Sequence, residues 1–151
     1  VEAVVLPRKY RIHTFLVILS LVIIFYPLYH KQPDQQRIDA SSAAVVEFFE
    51  LVDQGKYEQS WHAAARYLRN DMPLEQWVER LQTVRSRAGQ VVERQQEDVF
   101  ATQGGNKGIP EGEYMVYSFE TRFSDRDMLK ETVTVMLEDD QSWRVAGYFI
   151  E

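Results

Sequence analysis

Three stretches with three different hydrophobic periods divide the chain. The first is a continuous apolar run, Phe15 to Phe25, with no charge and one small hydroxyl, Ser20. The second has a helical period. Val45, Phe48, Phe49 and Val52 fall at i, i+3, i+4 and i+7, on one helix face. Gly55 supplies a stop. Tyr57, Trp61, Ala64, Ala65 and Leu68 predict a second helical stripe, which Asn70 and Asp71 end. Pro73 opens a third helix, where a missing N–H costs nothing. Leu74, Trp77, Val78, Leu81 and Val84 form its stripe, and Gly89 closes it.

The period then becomes two. Residues 91–102 alternate weakly and predict an edge or irregular strand. Gly104 to Gly112 is dense in turn formers. Met115, Tyr117, Phe119, Thr121 and Phe123 share one strand face, and Glu131, Val133, Val135 and Leu137 share another. Trp143 to Ile150 is the last strand. Short polar turns join the late strands into an antiparallel meander. Helices followed by strands predict an α+β domain: three helices packed on a bent antiparallel sheet of three to four strands, preceded by one transmembrane helix.

Charge places the first run. Arg8, Lys9 and Arg11 precede it, and Tyr10 to Tyr29 as a helix would span roughly 30 Å, the thickness of a hydrocarbon core. Tyrosines at both ends suit the membrane interface, and the basic flank puts the N-terminus inside. Residues 1–30 therefore read as a cytoplasmic tip and signal-anchor helix, 31–42 as a polar linker containing Pro33, and 43–151 as an extracytoplasmic domain. A cleavable signal peptide is the alternative, but no small-x-small site follows the apolar run. Either way the domain is exported, in a bacterium to the periplasmic side of the inner membrane.

Residues 1–31 carry a balance of +3, which leaves −9 on residues 32–151 of the net −6. An acidic body without a basic stripe argues against nucleic acid as a partner. There are no cysteines among the 151 residues, which excludes disulfides, zinc–thiolate sites, iron–sulfur clusters and thiol catalysis.

Several motifs carry a family resemblance. They are Leu51-Val-Asp-Gln-Gly-Lys-Tyr57 running into Ser60-Trp61, then Trp77, Arg85 with Gly89, and Arg94. Pro110-Glu-Gly-Glu-Tyr114, Thr121 with Phe123, Glu131-Thr-Val133 and Trp143 to Ile150 continue the series. Over roughly residues 43 to 150 the chain resembles a bacterial domain-of-unknown-function family, number 4019. Gly-Ile-Pro110 and Ala146 depart from its usual pattern. The resemblance implies an exported or membrane-tethered domain with a cone-shaped fold of the nuclear-transport-factor-2 or cystatin type. It implies no reaction.

The residues themselves point to no convergent catalytic set. His62 is the one histidine beyond the expected anchor of residues 1–30 and has no second His or Cys there to share a metal. Arg85 borders an apolar stripe, and Arg144 alternates with Ala146, Tyr148 and Ile150. A buried Arg needs a carboxylate, so pairing of Arg85, Arg94 or Arg144 with Glu131 or Asp53 is expected. Anion binding at the mouth of the cone is the alternative. Trp61, Trp77, Arg85, Glu131, Arg144 and Tyr148 are the pocket candidates, and rings of this kind could line a cavity for an apolar or aromatic ligand. No cofactor or metal is expected. The leading expectation is a membrane-tethered binding domain for a protein partner or small ligand, such as an accessory subunit of a membrane complex. The rival is a cone-fold isomerase or hydrolase with an acid–base pair, which fold analogy alone supports.

Overall fold

A computed structural model describes residues 34–105 and 108–151. The apolar run, the anchor expected over 1–30 and the first residues of the expected linker lie outside the described residues. Among those described, no helix is long and apolar enough to cross a membrane.

Helix α1 spans Gln35–Asp53 and begins ten residues before Val45, where its apolar period starts. The run Gln35 to Ser42, expected as linker, is helical. The reason is local and tertiary together. Asp34 caps the helix by accepting from the Gln36 N–H, and Ile38 packs at the edge of the core. Ser41 is fully buried because it has a partner: its Oγ lies 2.6 Å from the Tyr117 hydroxyl and donates to the Arg37 carbonyl. Val45, Phe48, Phe49 and Val52 are buried below it. The chain then reverses through Gly55 at φ +72.

The second predicted helix is two helices, α2 (Tyr57–Ala63) and α3 (Arg66–Asp71). A contact far along the chain overrides the stripe. Ala64 turns extended, and the Ala65 N–H bonds to the Val145 carbonyl at the sheet edge, 2.8 Å away. Helix α4 spans Leu74–Ala88, with Trp77, Leu81, Arg85 and Ala88 on its buried side. Gly89 ends it at φ +85, where an added Cβ would lie 2.2 Å from Ser124 Oγ.

Strands β1 (Val91–Gln103), β2 (Glu113–Phe123), β3 (Met128–Leu137) and β4 (Trp143–Ile150) form one antiparallel sheet in the order β1-β2-β3-β4. The weakly alternating 91–102 segment is a full strand with register shifts after Val91 and Gln96. Met115, Tyr117, Phe119, Thr121 and Phe123 are buried on the face toward α1, with Glu131, Val133, Val135, Val145 and Tyr148 beside them. Phe49 meets Phe119 edge-on at 5.0 Å, and Phe48 meets Tyr148 at 5.1 Å. Burial of each such ring stabilises by about 1.5–3 kcal/mol.

Strand β4 breaks the expected alternation. Thr134 pairs with Gly147 while Val135 pairs with Val145, so Ala146 is an extra residue in the ladder. A bulge of this kind re-aims its neighbours. Arg144 consequently does not share a face with Tyr148, as simple alternation predicts.

Candidate functional site

Two of the predicted arginines come together with two carboxylates between α1 and the near face of the sheet. Glu131 on β3 is fully buried. It accepts from Arg94 Nε at 2.7 Å, from Thr121 Oγ1 at 2.5 Å and from the Tyr148 hydroxyl at 2.5 Å. Arg94 also clamps Asp53, the last residue of α1, through Nη1 at 2.8 Å and Nη2 at 3.1 Å. Its guanidinium sits 3.6 Å over the Phe49 ring. Arg85 reaches the same Asp53 from α4 through Nη2 at 2.6 Å. Its other terminal nitrogen, Nη1, stands 3.7 Å from Glu131, beyond hydrogen-bond reach.

Two guanidiniums and two carboxylates make this cluster neutral. Burial works to lower the pKa of Arg94, but its hydrogen bonds to Asp53 and Glu131 outweigh that and raise it. Burial, then the Glu131 charge, pushes the Tyr148 phenol well above its ordinary range. The cluster ties α1, α4, β1 and β3 together; Glu131 is enclosed by its donors, while Asp53 is held by both arginines at the exposed rim. Asp53 and Arg94, marked by the sequence only as pairing partners, are central to it.

The alkaline side offers a test. The folded pKa of Tyr148 lies above 10, so below pH 10 its contribution is fully present. As pH rises beyond 10 the unfolded phenol ionises first, and stability falls by about 1.4 kcal/mol per pH unit from this group. Tyr148→Phe should cost about 1.5–3 kcal/mol at pH 7, because Glu131 loses a donor. The gap to wild type should narrow above pH 10 in urea titrations.

The remaining candidates lie elsewhere. Arg144 pairs with Glu138 at 2.5 Å and Asp140 at 2.7 Å around the β3–β4 turn. The hydrogen bond from Arg144 holds Asp140 down to about 2. Trp61 is half-buried and donates to the Met72 carbonyl. His62 is exposed on α2, with Glu58 3.8 Å away.

Trp77 and Tyr148 border a second feature, a groove of about 450 Å³. It runs over the sheet face turned away from α1 and rounds the β4 edge toward α3 and α4. Its floor is one register row, Val116–Thr134–Gly147. Leu68 and Met72 line it from the α3 side, and Ile109 lines it from the β1–β2 loop. Beside that loop the Tyr114 hydroxyl donates to the Pro110 carbonyl at 3.0 Å, and burial, then the neighbouring Tyr67, raises its pKa. Ile109, Phe100 (next to Val116 on β1) and Phe149 are each about half exposed. Arg80 of α4 also lines the groove, stacked 5.1 Å from the Phe149 ring centroid. No clean apolar period announces this face, since its apolar residues are interrupted by Asp98, Ser118, Thr132 and Thr134.

The described region is thus an α+β domain with a paired ionic cluster around a buried Glu131 on one side of its sheet and an open apolar groove on the other. The family described as "protein of unknown function (DUF4019)" matches residues 44–148, and the chain belongs to it. No curated protein matches the chain.

Proposed function

We propose that this chain is a non-catalytic binding domain, held on the outer side of the cytoplasmic membrane by its N-terminal apolar segment. The observation that carries the reading is the contrast between the two sides of the sheet. Glu131 and the arginines and Asp53 around it are engaged in mutual pairing, whereas the groove on the other face is mainly apolar, as ligand and partner sites are. An acid–base enzyme would need a pair of acid and base groups open to that space, and Asp71 lines it with no second carboxylate or imidazole among the described residues. His62 stands on the exposed side of α2, and Glu131 is enclosed by four side chains. A long helix laid across a four-stranded antiparallel sheet also supports the cone-shaped type of fold.

Tethering follows from the basic flank and the charge-free run Phe15 to Phe25, with a domain whose negative balance keeps it off anionic headgroups. An accessory role in a membrane complex fits this arrangement. Native mass spectrometry of the full chain, released gently from its own membranes, tests the reading. Most of the chain should carry a partner subunit or a small ligand, and a bare monomer under several extraction conditions would overturn it. Protease added outside spheroplasts should digest residues 34–151, and protection of that region would reverse the topology.

A further inference from the structure

Gly147 is the informative residue of the groove. A glycine inside a strand costs stability and often marks close approach by a ligand or another backbone. Here neither conformation nor crowding demands it. Its φ is not in the left-handed region, and an added Cβ would meet only Phe149 Cε2 at 3.6 Å and Thr134 Cβ at 3.9 Å, ordinary contacts. What a side chain would remove is the open space above the floor.

The second observation is a charge. Arg80 lines the groove half-buried, and among the described residues it makes no ion pair or hydrogen bond. Its contact is with the Phe149 ring. Asp71 also lines the groove but lies beyond ion-pair distance of Arg80. Thr102, Gln103, Thr134 and the hydroxyl-bearing Tyr67 and Tyr114 add uncharged polar groups. One unpaired guanidinium in an apolar trough is complementary to a ligand with one anionic end, and a planar fork favours a carboxylate-like head.

We propose that the groove binds a small amphipathic anion, with an alkyl or aryl body laid over Val116, Thr134 and Gly147 and a carboxylate-type head at Arg80. The assignment rests on the reading of the domain as a binding module and names the ligand class for its groove. Decanoate is a suitable probe, with decanol and decyltrimethylammonium as neutral and cationic counterparts.

The full chain in lipid nanodiscs should take up decanoate at one site per chain by isothermal titration calorimetry, against empty nanodiscs as blank. Decanol should bind about tenfold more weakly and decyltrimethylammonium more weakly still. Arg80→Gln should weaken decanoate about tenfold and leave decanol unchanged. Gly147→Val should abolish binding of both while the melting temperature holds or rises, since valine suits a strand. Val116→Phe fills the same trough from β2 and serves if Gly147→Val fails to fold. Absence of a saturable decanoate site, undiminished affinity in Arg80→Gln, or undiminished affinity in a folded filling variant would each overturn the assignment. A partner or ligand seen by native mass spectrometry that decanoate does not displace would overturn the ligand class and leave the binding role standing.

Discussion

Replacing Glu131 by glutamine should lower the unfolding free energy by about 3–5 kcal/mol, the usual cost of breaking a buried ion pair from one side. The amide keeps the size of the side chain, so packing changes little. The charge does not survive. Arg94 and Arg85 would then share Asp53 alone, which leaves a net positive charge behind Phe49 and Phe123. One of the two acceptor oxygens also becomes an NH₂ facing donors from Arg94, Thr121 and Tyr148. Urea unfolding followed by tryptophan fluorescence reads the change as a lower midpoint at similar slope. Replacing Arg94 and Glu131 together by methionine should recover much of the loss. Arg85 and Asp53 then remain as a balanced pair, and apolar replacement of a complete ion pair is often neutral. A Glu131→Gln cost below about 1 kcal/mol would show that the cluster is more hydrated than its burial indicates.

Trp77→Ala should cost a similar amount, about 3–5 kcal/mol, by a different route. The indole is 1% exposed and packs 6.3 Å from Phe48 between α4 and α1. Its removal leaves a cavity that rigid neighbours only partly fill. It also deprives Ser60 of the Nε1–H it accepts at 3.0 Å, while the Ser60 hydroxyl stays committed to the Tyr57 carbonyl. Trp77→Phe separates the two effects: most of the packing remains, the hydrogen bond goes, and the loss should fall to about 1–2 kcal/mol. Thermal melts of the two variants check the ordering. Because Trp77 also walls the groove, the alanine variant should accept bulkier probes.

The elements that could be read from sequence are those whose burial sets a clean period. Phe48 and Phe49 on α1, Trp77 and Leu81 on α4, and the odd-numbered residues of β2 declare their faces directly. The misses share a cause, which is that distant contacts decided them. Gln35 to Ser42 carries one large apolar residue, and the Ser41–Tyr117 contact draws it into the helix from 76 positions away. Ala64 and Ala65 fit a helical stripe, but β4 offers Ala65 a carbonyl. Ala146 becomes a bulge through the β3 register, and that moved Arg144 off the face of Tyr148. Partial legibility holds for the ionic cluster as well. A buried arginine announces a carboxylate, yet only the sheet's register selects Glu131 and Arg94 over Glu138 and Arg144. The groove was hidden for a simpler reason, because an open space is written as a missing side chain, and Gly147 alone carries no hydropathy.

The link between Ala65 and Val145 has a consequence for crowding. It blocks one rim of the sheet with a helical segment, so that rim offers a stranger little backbone to zip onto. The opposite rim, β1, pairs with no further strand among the described residues, but it is bent by two register shifts and studded with Glu93, Glu97 and Asp98. Copies that meet side by side therefore face a shielded margin and an electrostatically guarded one, which disfavours fusing edge to edge into ribbons.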